Sequence, residues 1–172
     1  MRRIGTFLAA LTLLVACGGQ SSSTNSDDAS AASNTGANAT IDRVVDGDTI
    51  VAIIDGQREK VRLIGIDTPE TVKPDSPVEC FGPEASAFTK SLLPEGTPIR
   101  IERDVEARDK YDRLLGYIYR ADDGLFVNLE IIAKGYANLL TYPPNVAHVE
   151  EFKAAATAAR EADLGLWAGC DG

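Results

Sequence analysis

The sequence predicts a small α+β domain with five strands and its helices gathered towards the C-terminal half. Three observations carry this. Val- and Ile-rich runs broken by Asp-Gly pairs fill Ile41 to Ile66. A segment opened by Pro83 and stopped by Pro94 and Gly96 then separates them from two further β-rich runs. The closing stretch recurs at helical spacing, with Phe152, Ala155, Ala156 and Ala159 on one face. At 172 residues the chain is long enough for one domain with its own core.

In chain order, residues 1–16 read as a signal peptide. Arg2 and Arg3 precede an apolar run, Ile4 to Ala16, too short to cross a bilayer comfortably. Leu14-Val15-Ala16 resembles the lipobox of bacterial lipoproteins, which makes Cys17 the acylated first residue; the alternative is an ordinary secretory signal with an incidental cysteine. An extracytoplasmic protein, lipid-anchored to the cell membrane or surface, is expected. Residues 17–40 are Gly, Ser, Thr, Asn, Ala and Asp in the main and bury too little apolar area to offset ordering entropy. They read as a tether with a root-mean-square span of about 25 Å. With Cys17 lipidated, Cys80 and Cys170 are left to pair; two buried thiols are the alternative.

Residues 41–172 form the folded domain. Ile41 to Ile54 is two β-rich stretches split at Asp46-Gly47-Asp48. Asp55-Gly56 marks a tight hairpin turn into Arg58 to Ile66. After a polar loop, Thr71 to Glu79, a helix carries Ala85, Phe88 and Leu92 on one face. Pro98 to Val105 and Leu114 to Tyr119 read as strands. Asn128 is expected to cap a short helix running through Lys134 to Gly135. The last helix is expected from about Asn145 or His148 to Asp163, with Trp167 folding the tail back. The order is compatible with a small barrel of the OB type with added helices; composition alone does not choose it over another α+β arrangement.

The inventory narrows the chemistry. The single histidine, His148, sits in a Pro-Asn loop or at a helix start and removes most hydrolytic templates, since triads need an oriented imidazole and catalytic zinc usually takes two or three His, and neither GxxxxGK[ST] nor GxGxxG is present. Carboxylate, guanidinium, phenol and a hard cation remain. Asp46, Asp48 and Asp67 flank strand ends, and oxygen-only ligands suit Ca²⁺. Arg62 and Arg113 can take a phosphodiester by charge-assisted bonds and hold its trigonal-bipyramidal charge, while Glu70 can orient or deprotonate water. Taken singly, each is also an ordinary turn residue or surface ion pair.

Jointly, DGDT at Asp46 to Thr49, RLIGIDTPET at Arg62 to Thr71, FGPEASAFTK at Phe81 to Lys90, DKYDRLLGYIY at Asp109 to Tyr119 and GLW at Gly165 to Trp167 closely resemble the staphylococcal nuclease family. The resemblance implies a five-stranded OB-fold barrel with three helices and a monomeric, Ca²⁺-dependent phosphodiesterase that cuts DNA and RNA to 3′-phosphate products. It implies calcium carboxylates at Asp48 and Asp67, a calcium-binding carbonyl at Thr68, an acidic partner behind them at Asp46, phosphate-binding arginines at Arg62 and Arg113, and the glutamate at Glu70. Lys110, Tyr111 and Tyr142 become candidate substrate contacts. Lys110 meets phosphate or merely solvent, and Tyr111 packs beside Arg113 or touches substrate.

The chain departs from the family in three ways. One of two tyrosines expected near the base is aliphatic, Asp112 replaces a glycine before Arg113, and the net charge of −9 repels a polyanion. Low intrinsic DNA affinity and dependence on millimolar calcium are therefore expected. A noncatalytic binding domain of a surface lipoprotein is the alternative reading.

Overall fold

The computed structural model describes residues 36–71 and 77–170. The expected signal peptide, Cys17, the tether up to residue 35, and residues 72–76 of the loop after Thr71 lie outside them. The elements are β1 (Ala39–Asp46), β2 (Thr49–Ile54), β3 (Gln57–Leu63), β4 (Gly65–Asp67), α1 (Gly82–Leu92), β5 (Pro98–Glu102), β6 (Leu114–Arg120), α2 (Val127–Ala133), β7 (Asn138–Leu140), α3 (Val149–Glu161) and the single turn α4 (Leu166–Gly169). Five strands close into a barrel in the order β1-β2-β3-β6-β5, the seam being Ala39 opposite Ile99 and Thr40 opposite Pro98. This is the five-stranded OB-type barrel with three helices, an α+β fold.

Closure demands curvature, and β1 supplies it. Its pairing with β2 slips between Ile41 and Arg43 and again between Val44 and Asp46; such bulges bend a strand and tighten its twist. Inside, Ile41, Ile50, Val61, Leu63, Ile99, Leu115 and Ile118 are fully buried, and Ile131 and Ile132 of α2 with Phe152 of α3 join the same core. All pairs are antiparallel except β3 with β6, which run parallel through Val61–Leu114, Arg62–Leu115 and Leu63–Gly116. The run expected as one strand from Arg58 to Ile66 breaks at Gly65, where φ is +86° and a Cβ would lie 2.1 Å from the Phe152 ring. Beyond that corner β4 leaves the barrel and pairs with β7.

Two expectations are corrected, and the choice between Asn145 and His148 as the start of the last helix is settled. The strand opened by Pro98 ends at Glu102, and Val105 is exposed. The cause is Asp104, whose carboxylate accepts the Val105 N–H, the Ala147 N–H and the Tyr117 hydroxyl and so turns the chain out of the sheet. Asn128 does not cap α2; the residue before the helix is Phe126, and Asn128 is completely buried in the first turn. Its Oδ1 accepts the Ile118 N–H (2.9 Å), and its Nδ2 donates to the carbonyls of Ile64 (2.9 Å) and Gly116 (3.3 Å). Finally, α3 begins after His148. Asn145 precedes it as a buried clamp that accepts the Glu106 N–H (2.7 Å) and donates to the Glu106 carbonyl (3.0 Å).

Cys80 and Cys170 are joined as a disulfide across 90 residues, tying the entry of α1 to the tail beyond α4. Trp167 lies under the Arg160 guanidinium, 4.2 Å from its centre. No helix of the described residues is long and apolar enough to cross a membrane.

Candidate active site

Strand register gathers the polar groups. Arg62 on β3 stands opposite Thr49 of β2 on one side and Leu115 of β6 on the other. Asp48 immediately precedes Thr49, and Arg113 lies two residues before Leu115, so adjacent strands bring both to the end of β3 where Arg62 sits. Two residues past Leu63 the chain turns at Gly65 into β4, whose last residue is Asp67. A polar cleft of about 370 Å³ results, lined among others by Asp46, Asp48, Lys60, Arg62, Asp67, Thr68, Glu70, Glu79 and Arg113.

Each side chain is held. The Arg62 guanidinium is buried; it donates to the carbonyls of Leu63 and Ile66, bonds Asp67 Oδ1 at 2.9 Å and pairs with Asp48 Oδ2 at 3.1 Å. Asp48 Oδ2 also accepts the N–H and hydroxyl of Thr68, and its Oδ1 accepts the Thr49 hydroxyl. Thr68 packs on Gly47 so closely that a Cβ there would sit 2.6 Å from its Oγ1. The Gly47 carbonyl in turn accepts the hydroxyl of buried Thr89 (2.7 Å), which fixes the turn from α1. Asp46 accepts the Gly47 N–H and the hydroxyl and N–H of Thr71, while Glu70 Oε1 accepts the Thr71 N–H.

Burial pushes the Asp67 carboxyl above its ordinary range; Arg62 opposes this, and the neighbouring Asp48 and Glu79 carboxylates add to it. Arg113 is oriented from behind. Its Nε bonds Asp109 Oδ2 at 2.7 Å, while its terminal amino groups have no hydrogen bond among the described residues. Burial disfavours the Asp109 charge, but hydrogen bonds from the Arg113 N–H and guanidinium and the Tyr111 N–H outweigh it and hold its carboxyl below the usual range.

A profile described as staphylococcal nuclease homologue matches residues 60–169. The thermonuclease of Staphylococcus intermedius is 43% identical over 127 residues, 74% of each chain. The chain belongs to the staphylococcal nuclease family. The thermonuclease of Staphylococcus hyicus is 38% identical over 125 residues, 73% of this chain and 72% of that relative. Endonuclease YncB of Bacillus subtilis (strain 168) is 39% identical over 132 residues, 76% of this chain and 61% of the relative.

Of the residues matched to staphylococcal nuclease motifs, Asp46, Asp48, Arg62, Asp67, Thr68, Glu70 and Arg113 line the one cleft. Tyr142 lines a smaller neighbouring hollow with Arg62, Arg113 and Leu140, so an aliphatic side chain stands beside the single tyrosine there. Lys110 and Tyr111 are not among the cleft's lining residues. Tyr111 is exposed, with Lys110 Nζ 4.9 Å and the Arg113 guanidinium 5.5 Å from its ring centre. Asp112, at the position of the replaced glycine, adopts φ +62°, and its carboxylate lies 3.6 Å from Arg108. Sequence reasoning missed three participants. Lys60 shares the outward face of β3 with Arg62, a period-two signal that was available. Glu79 accepts the Glu70 N–H (3.0 Å) from across the loop, and Asp109 acts through Arg113; neither has a sequence signature.

Proposed function

We propose that this nuclease of the staphylococcal nuclease family is a Ca²⁺-dependent phosphodiesterase acting on DNA and RNA and leaving 3′-phosphate ends. The observation that carries the reading is the register around Arg62, which brings two guanidinium groups, two carboxylates and Glu70 to one polar cleft.

The donor set fits a hard cation. Asp48 and Asp67 offer carboxylate oxygens and Thr68 a main-chain carbonyl, with Asp46 behind them organising the turn through Gly47 and Thr71. The described residues contain no group of three or more His, Cys, Asp or Glu suited to a metal, so carbonyl and water oxygens would complete the shell. Burial disfavours the Asp67 charge, with Asp48 and Glu79 adding to this against Arg62, and a divalent cation held there would favour the charged carboxylate. Bound there, Ca²⁺ supplies positive charge to the phosphoryl oxygens and the attacking water. Arg62 and Arg113 grip the two non-bridging oxygens and take up the charge that grows on them in the transition state. Glu70 orients the water and takes its proton as the water oxygen bonds phosphorus in line, the P–O5′ bond breaks, and the departing 5′-oxygen takes a proton from solvent water to leave as an alcohol. Tyr142 offers one face for a base, and Leu140 offers none.

The acidic chain draws no polyanion at long range, so binding rests on the local pair of arginines and is weak. Digestion of DNA in millimolar calcium, abolished by chelator and reduced about 10²–10⁴-fold by Glu70→Ala, is the expected result. Equal digestion in chelator sinks the calcium dependence, and equal rates for both proteins sink the role of Glu70.

We also propose an extracytoplasmic site, with anchoring through acylated Cys17 and monomeric action at the end of the tether. On detergent phase partition of the protein made in a bacterial host, the native chain should enter the detergent phase and Cys17→Ser the aqueous one. Aqueous partition of both shows the anchor to be absent.

A further inference from the structure

We infer that the Glu59–Arg108 ion pair is a clamp that holds the left-handed turn at Asp112 and through it aims Arg113, making Glu59 and Arg108 positioning residues; the inference rests on Arg113 gripping phosphate as proposed above. The geometry runs from β3 to the cleft in four contacts. Glu59 stands on β3 opposite Ala52, three residues before Arg62. Both its carboxylate oxygens accept from Arg108, Oε2 from Nη1 at 3.1 Å and Oε1 from Nη2 at 3.0 Å. The same Arg108 Nη1 donates to the main-chain carbonyl of Asp112 at 2.8 Å. Asp112 then hands the chain to Arg113, whose N–H and Nε both bond Asp109.

The need for a clamp lies in the backbone. Asp112 has φ +62°, in the region where a Cβ crowds the following carbonyl and which non-glycine residues enter at a cost. Its N–H is fixed to the Asp109 carbonyl (3.0 Å), and its carboxylate, largely exposed, is paired only loosely with Arg108 at 3.6 Å. A planar, two-pronged guanidinium locked on a carboxylate of the rigid strand is suited to pin that carbonyl, because both ends of the bridge are geometrically fixed. The consequence is a shared frame. Arg62 is a residue of β3, and Arg113 is referred to β3 on both sides, by the pairing of Leu114 with Val61 after it and by Glu59 and Arg108 through the turn before it, so the two guanidinium groups keep their spacing across one phosphate. Arg108 is not among the residues that line the cleft, so its effect reaches chemistry by orientation.

A double-mutant cycle tests this. Misplacing a catalytic group by a fraction of an ångström is costly, so Arg108→Ala should lower kcat on DNA about 10-fold with KM within about threefold of wild type. Asp112→Gly, which removes the conformational cost, should leave kcat near wild type by itself. Combined with Arg108→Ala it should restore most of the loss, because the turn no longer needs holding. Amide exchange at Asp112 and Arg113 should quicken about 10-fold in Arg108→Ala and recover in the double variant. That readout needs no activity, so the clamp is tested even if wild type fails to cut DNA, a failure that would fall on the nuclease reading alone. Wild-type kcat and exchange in Arg108→Ala overturn the inference, as does a loss that Asp112→Gly does not repair.

Discussion

Arg62→Ala and Arg113→Ala should each lower kcat on DNA by about 10²–10³-fold, the usual effect of deleting one preorganised donor to developing charge, yet only the first should also weaken the fold. The asymmetry follows from how the two guanidinium groups are held. Arg62 is buried and satisfies the carbonyls of Leu63 and Ile66 while separating Asp48 from Asp67. Its removal strands two carbonyls and leaves two carboxylates facing one another. An unsatisfied buried acceptor costs about 1–3 kcal/mol. Arg113 is more exposed, and among the described residues its guanidinium bonds a single carboxylate, Asp109, whose other oxygen still accepts two main-chain N–H groups when the guanidinium is gone. Steady-state kinetics paired with urea unfolding checks both halves. Equal stability of the two variants would refute the structural part, and wild-type kcat in either would refute the catalytic part. Arg→Lys at either position should recover little, since an ammonium lacks the fork that spans two phosphoryl oxygens.

How far the site could be read from the chain depends on what kind of residue encodes it. Asp46-Gly47-Asp48, Arg62, Asp67 and Glu70 were legible because turns and strand ends leave local marks, while the role of Thr68 came only with the resemblance. Arg113 was legible as a second guanidinium between two strands, and the resemblance of its whole segment gave it its place in the site. The strands were legible for a like reason, since turn signals separate them, while their closure into a barrel came with the resemblance. What stayed hidden is long-range satisfaction of backbone polar groups. Nothing near Asn145 in sequence says that it clamps Glu106, 39 residues away, and Asp104 ends β5 by bonds to Tyr117 and Ala147 that no local pattern announces. The three-residue β7 escaped because Asn138–Leu140 is too short for alternation to be seen and pairs only with β4.

Asn128 is the sharpest case, and Asn128→Leu should cost about 2–6 kcal/mol of stability despite preserving volume. The sequence argument made this residue a helix cap, for which substitution costs about 1 kcal/mol. The structure gives it another task. Where β3 and β6 run parallel and β4 then departs, the ladder ends with the Ile118 N–H and the Ile64 carbonyl turned inward, and Asn128 meets both. The Gly116 carbonyl keeps a second donor in the Ile64 N–H, so two groups, not three, are orphaned, each at about 1–3 kcal/mol. Urea unfolding in the presence and absence of calcium measures the loss, and a cost near 1 kcal/mol would return Asn128 to the role of a cap. The residue also matters to the cleft. Ile64 follows the Arg62-Leu63 pair and precedes the Gly65 corner, so the amide fixes the strand end from which Arg62 and Asp67 are presented. Below its lowered melting point the variant should still cut DNA, but with a reduced kcat, because the carbonyl that set the angle of β4 is free to seek another donor.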